Sequence, residues 1–137
     1  MTVQRQAACS CGQLKVRLDG EPALVSSCHC LACQRRTGAV FASNAFFKRE
    51  QVVAVEGEYR TWRRAGDSGR FLDFHFCPTC GSTVFWEAEG TPDLVTVAIG
   101  AFADPSFPAP VRTVWVEKKH GWLPFPDSIP RHSKDPP

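Results

Sequence analysis

Seven cysteines in three clusters are the residues of this sequence best suited to chemistry: Cys9-x-Cys11, Cys28-x-Cys30-x-x-Cys33 and Cys77-Pro-Thr-Cys80-Gly81. An odd count leaves one thiol over in any disulfide framework, and the Cys9/Cys11 and Cys28/Cys30 pairs are too close for ordinary disulfides. The first eight residues carry no apolar run, so no secretory signal is expected. In the cytoplasm, the placement this implies, thiols rarely persist as disulfides and are free to hold metal. Tetrahedral zinc wants four ligands, with sulfur at about 2.3 Å. The Cys77–Cys80 segment has the form of a zinc knuckle, in which Gly81 can take the positive φ that such a turn often needs. A knuckle supplies two sulfurs, and Cys9 with Cys11 is the other isolated pair. Cys9, Cys11, Cys77 and Cys80 therefore read as a saturated structural zinc site. Such a site contributes on the order of 10 kcal/mol of apparent binding energy, coupled to folding.

Cys28, Cys30 and Cys33 then remain, with no fourth cysteine. Three protein ligands and one open position is how catalytic zinc is usually held. Two Zn²⁺ per chain are expected, one structural and one catalytic. Cys33 falls early in a short helical stretch, Leu31 to Thr37, which Gly38 can close as a C-terminal cap; backbone N–H groups there favour thiolate over thiol. Arg35 and Arg36 either offset the negative charge of a three-thiolate centre and hold a carboxylate of an incoming ligand, or form a solvated helix face. His29, between two ligands, is expected to point outward, since ligation by neighbouring residues would strain the turn. His75 is expected to face solvent or to be hydrogen-bonded. As a fourth ligand it would close the open position.

These clusters need short, well-anchored elements around them. Leu14, Val16 and Leu18 alternate with Lys15, Arg17 and Asp19; Leu72, Phe74 and Phe76 alternate with Asp73 and His75, as half-buried strands do. Further apolar or β-branched runs occur at Ala23–Val25, Val40–Phe47, Val52–Val55, Thr83–Trp86, Leu94–Ile99 and Val111–Val116. Ten glycines and eleven prolines keep the elements short. The fold class expected is all-β, with eight or nine strands and one short helix. Residues 1–123 read as one zinc-binding domain and 124–137 as a proline-rich tail, extended or frayed. Phe41, Phe46, Phe71, Phe74, Phe76, Phe85, Trp86, Phe102 and Trp115 are expected mostly in the core, with one or two walling the open zinc.

Composition narrows the function classes. The chain has 137 residues, 43% hydrophobic and 22% charged, with a formal net charge of +2. Two zinc ions on seven thiolates would bring this to about −1. The pI of 8.2 and the scattered basic residues do not suit a dedicated nucleic-acid binder. No apolar run is long enough to span a membrane as a helix.

Several segments together resemble one known family. They are Cys9-Ser-Cys-Gly12, Cys28-His-Cys-x-x-Cys-x-Arg-x-Thr-Gly38, Phe76-Cys-Pro-Thr-Cys-Gly-Ser82, and Val114-Trp-Val-Glu-Lys-Lys through Trp122 to Asp127-Ser-Ile-Pro130. In this order they resemble the glutathione-dependent formaldehyde-activating enzymes, also called the centromere protein V/Gfa domain family. The resemblance implies an Mss4-like β fold, structural zinc on Cys9, Cys11, Cys77 and Cys80, and catalytic zinc on Cys28, Cys30 and Cys33. It also implies a carbon–sulfur lyase reaction, the reversible formation of S-(hydroxymethyl)glutathione, with a small thiol and a small aldehyde as partners. The chain is shorter than members named for that activity. The alternatives are a non-enzymatic zinc-binding interaction module and a thiol or zinc sensor.

Overall fold

The computed structural model describes residues 3–136. The chain is mainly β, with two sheets, ten strands among the described residues, and a single seven-residue α-helix. It divides into two compact units: residues 1–23 with 45–107, and residues 24–44 with 108–137.

In the first unit, β1 (Gln4–Ala8), β2 (Lys15–Asp19) and β5 (Val52–Glu56) form an antiparallel sheet in the order β1-β2-β5. The alternation in β2 sets its faces: Val16 and Leu18 are buried, as is Leu14 just before it, while Arg17 faces water. The same unit holds β6 (Arg60–Ala65), β7 (Phe71–Phe76), β8 (Thr83–Ala88) and β9 (Leu94–Ala98), hydrogen-bonded in the order β9-β8-β7-β6. Their register places Trp62, Phe74 and Trp86 side by side across three strands, with Trp62 stacked on Phe74 and Phe74 tilted on Trp86. Thr61, His75 and Phe85 line up the same way one residue out of step, so they occupy the opposite face. Both faces of β7 and β8 are covered there: Phe74, His75, Phe85 and Trp86 are all buried.

In the second unit, β3 (Leu24–Cys28) pairs in parallel with β10 (Arg112–Val114), placing Cys28 opposite Val114. The helix α1 (Leu31–Thr37) follows, with Cys30 as its N-cap and Gly38 closing it at φ +68°, the cap N–H bonded to the Gln34 carbonyl. The strand β4 (Ala42–Lys48) carries the chain on into the first unit. The proline-rich segment from residue 124 is tied by its backbone. The Thr113 N–H donates to the Pro130 carbonyl, the His132 N–H donates to the Thr113 carbonyl, and Thr113 bridges Arg131 in parallel.

Two strands lie outside the expected runs. β1 and β6 have weak apolar patterns, and β6 is exposed along almost its whole length. Their hydrogen bonds to β2 and β7, rather than their own side chains, define them.

Candidate functional site

Two similar turns bring the first cluster together. The Cys9 N–H donates to the Leu14 carbonyl and the Gly12 N–H to the Cys9 carbonyl; the Cys77 N–H donates to the Ser82 carbonyl and the Gly81 N–H to the Cys77 carbonyl. Gly12 and Gly81 have φ of +82° and +81°, the left-handed region that each turn requires. The sulfurs of Cys9, Cys11, Cys77 and Cys80 all lie within 4.8 Å of one another. Cys9 Sγ is 3.6 Å from Cys11 Sγ, and Cys11 Sγ is 3.7 Å from Cys77 Sγ. Four sulfurs at about 2.3 Å from a tetrahedral zinc are spaced about 3.8 Å apart, so this donor set fits that ion.

Polar neighbours hold the sulfurs. The Gln13 side-chain amide donates to Cys77 Sγ (2.9 Å) and to the Glu58 carbonyl (2.8 Å), while its carbonyl accepts from the Glu58 N–H (2.9 Å). Ser82 accepts from the Ser10 N–H and shares a 2.9 Å hydrogen bond with the Ser10 hydroxyl, joining the two turns. The hydrogen bond shared with the Ser82 hydroxyl and one from the Ser82 N–H pull the pKa of Cys80 down to about 5. Cys77 is also lowered: burial opposes the thiolate, but hydrogen bonds from the Cys80 N–H and the Gln13 amide outweigh it. Cys11 moves the other way, to about 11, because desolvation and the adjacent thiols outweigh the Gln13 N–H.

The second cluster lies at the junction of β3 and α1. Cys28 ends the strand, the His29 N–H donates to the Val114 carbonyl, and Cys30 Sγ accepts the Cys33 N–H at 3.3 Å. The three sulfurs lie within 4.8 Å of one another, and among the described residues no histidine, carboxylate or fourth cysteine joins them. Cys28 and Cys33 are buried with Ala42 and Val114; the half-buried Cys30 and Trp115 pack on that cluster. Sharing hydrogen bonds with Cys30 and Cys33, together with burial, raises the Cys28 thiol. Cys33 is raised as well: its hydrogen bond with Cys28 favours the thiolate, as does the Arg36 charge, but Cys30 and burial prevail.

A family model for the glutathione-dependent formaldehyde-activating enzymes matches residues 4–118. The chain belongs to this family. Its fold is similar to the crystal structure of a Rhodobacter sphaeroides protein, with a TM-score of 0.57 at 20% identity, covering 73% of this chain and 91% of the other. A search of curated proteins finds no match. Among the described residues, no helix is long and apolar enough to cross a membrane.

In this family member the two arginines differ. Arg36 is half-buried and its charge reaches Cys33, whereas Arg35 is exposed to solvent. His29 corrects the sequence expectation, because it points inward and is fully buried. Its Nε2 shares a 2.8 Å hydrogen bond with the Thr113 hydroxyl, which accepts from Ser27, and its ring meets Phe125 edge-on and Phe41 at a tilt. Burial, then the charges of Lys119, Arg131 and His120, lower its pKa, so it is neutral at pH 7. Strand β3 delivers the ring beneath β10, an arrangement that local spacing does not encode.

His75 is hydrogen-bonded but does not face solvent. Glu87 accepts from its Nε2 at 3.0 Å and the Thr61 hydroxyl bonds its Nδ1 at 2.8 Å, and its ring packs against those of Tyr59 and Phe85. It joins neither sulfur cluster. Sequence reasoning did not single out Gln13, Ser10 or Gln34. Gln34 spans the second cluster's turn: its amide donates to the carbonyls of His29 and Lys118, and its carbonyl accepts from His120. Polar side chains of this kind carry no spacing signal, since apart from the His29 carbonyl, five residues from Gln34, their partners lie 45 to 86 residues away.

Proposed function

We propose that this chain binds two zinc ions and catalyses reversible addition of a small thiol, glutathione or a relative, to an aldehyde such as formaldehyde. The observation that carries this reading is the convergence of three thiols without a fourth protein ligand among the described residues, in a chain of this family. Cys9, Cys11, Cys77 and Cys80 would hold the structural ion; Cys28, Cys30 and Cys33 would hold the other. Held by Cys28, Cys30 and Cys33, zinc would leave one position for an outside ligand and would lower the pKa of a thiol that took it, so that thiolate would be available at neutral pH.

The chain's residues supply the rest. Cys30 is the half-exposed sulfur of the three, so access runs past it. Arg36 places positive charge beside Cys33 and offsets the charge of three thiolates, while Arg35, exposed on the same helix, is available to a substrate carboxylate. Neutral, buried His29 braces the Cys28–Cys30 turn from within, through Thr113, and Gln34 braces it from outside. In the addition one carbon–sulfur bond forms, the carbonyl π bond opens, and the proton lost from sulfur ends on oxygen. The lyase direction is the reverse. A three-thiolate centre is electron-rich and suits a nucleophilic thiolate better than the polarising of a carbonyl or a water.

The test is exchange between free and adduct formaldehyde carbon, followed by NMR with glutathione and zinc-loaded protein. Wild type is expected to accelerate exchange, and Cys30→Ser to abolish the effect while remaining folded. Equal, uncatalysed exchange in both proteins refutes the enzymatic reading for this pair.

A further inference from the structure

Trp115 combines three properties that its place in the sequence does not explain. Its backbone sits at φ +59°, ψ +37°, in the left-handed region. A bulky aromatic residue there is a true outlier, and such conformations persist only where surrounding structure enforces them, often around a site that binds or reacts. Its ring packs on the cluster formed by Cys28, Cys33, Ala42 and Val114, the same cluster that Cys30 packs on. Its indole N–H donates to Asp135 Oδ1 at 2.9 Å, twenty residues further on.

The enforcement is visible in the backbone. Just before Trp115, β10 is fixed between β3 and the C-terminal segment, and Thr113 makes hydrogen bonds to Pro130 and His132. Just after it, the Val116 N–H donates to the His132 carbonyl and the Lys118 N–H to the Trp115 carbonyl. The chain turns sharply between these anchors, which projects the indole onto the cysteines instead of continuing the strand. Within the cluster, Cys28 and Cys33 are buried, and the half-exposed groups are Cys30 and Trp115. An incoming molecule that reaches the sulfurs therefore passes the indole face.

We infer that Trp115 is the wall of the three-cysteine site and a specificity-determining residue for the thiol, and that Asp135 is a positioning residue that holds the indole in place. This rests on the proposed function for the bound zinc and for the identity of the thiol, but the existence of the wall does not depend on catalysis. A flat apolar face beside the three cysteines favours a ligand whose carbon chain lies against it, and it shields the sulfurs from bulky reagents. A contact made equally in ground and transition states acts on KM rather than kcat. Because the indole needs only an acceptor, Asn at position 135 can replace Asp, whereas Ala cannot.

The experiment uses zinc-loaded wild type, Trp115→Ala, Asp135→Ala and Asp135→Asn, with two readouts. The first is the rate at which a chromogenic chelator removes zinc, independent of any substrate. One of the two ions is expected to leave several-fold faster from Trp115→Ala and Asp135→Ala, and at about the wild-type rate from Asp135→Asn, while the other ion is unaffected. The second is the glutathione dependence of formaldehyde exchange, where KM is expected to rise about tenfold in Trp115→Ala, less in Asp135→Ala, with kcat nearly unchanged. Unchanged chelator rates in both Ala variants overturn the wall, as does equal acceleration of both ions, which signifies general loosening. Unchanged KM with faster zinc release overturns the role in specificity. Wild type that releases zinc as expected but catalyses no exchange refutes the proposed catalysis and leaves the wall established by the first readout.

Discussion

Gly57 directly follows β5 at φ +92°, and an added Cβ would lie 2.0 Å from the Gln13 carbonyl oxygen, 2.7 Å from its carbon and 2.8 Å from Gln13 Oε1. Those atoms belong to the residue that clamps Glu58 and donates to Cys77. Gly57→Ala therefore carries two costs. The left-handed conformation costs an alanine about 1–2 kcal/mol. The clash meets backbone, which cannot rotate away, and forcing atoms into a packed site costs about 1–3 kcal/mol more. A total of about 3 kcal/mol is expected. Gly38→Ala is the control, since it has φ +68° and nothing within 4 Å of its added Cβ, so only the conformational cost of about 1–2 kcal/mol applies. The assay is urea unfolding of both variants at one fixed excess of zinc, followed by far-UV circular dichroism. If Gly57→Ala is destabilised no more than Gly38→Ala, the close approach of residues 13 and 57 does not constrain the fold, and the reasoning from contact distances fails.

Three further outcomes follow from the geometry. Gln13→Leu removes the amide that bonds Cys77 Sγ and is expected to weaken the hold on one zinc ion by about 10–100-fold in chelator competition; an unchanged affinity refutes the bracing role. Thr113→Val leaves buried groups on Ser27 and His29 without their partner, and is expected to cost about 1–3 kcal/mol in unfolding experiments, whereas a neutral effect shows the relay is dispensable. The hydrogen bonds from Arg63, at 2.8 and 3.0 Å, hold the Asp73 carboxyl below its usual value, so their stabilising effect is present at neutral pH and fades as pH falls through the folded-state pKa. Carboxyl carbon-13 titration is expected to show Asp73 titrating at higher pH in Arg63→Gln than in wild type; coincident curves refute the assignment.

Where local pattern carries the information, the sequence was a good guide. Cys9, Cys11, Cys77 and Cys80 meet as the count of sulfurs required, and Cys28, Cys30 and Cys33 remain a separate trio. Gly81 and Gly38 adopt the positive φ that a knuckle and a helix C-cap call for, and the alternation around β2 names its buried face. Where a partner decides, the sequence was silent. β6, with the composition Arg-Thr-Trp-Arg-Arg-Ala, is a strand because β7 lies beside it. His29 is buried because Thr113, Phe41 and Phe125 converge on it from distant parts of the chain. His75 breaks the expected alternation of β7 because Tyr59 and Phe85 cover the face that water would otherwise reach. The hydrogen bond between Trp115 and Asp135 likewise depends on a backbone reversal that no periodicity announces.

The parallel pairing of β3 with β10 has a consequence for the order of events in the cell. Residues 24–44 leave the ribosome with their three cysteines long before residues 108–137, because residues 45–107 are translated in between. Closing so long a loop is entropically costly and slow compared with forming a hairpin. During that interval Cys28, Cys30 and Cys33 lack the strand whose Val114 packs against them, and their thiols are open to oxidants. Maturation of the trio is thus timed by the arrival of the C-terminal segment, and conditions that slow elongation lengthen the vulnerable period.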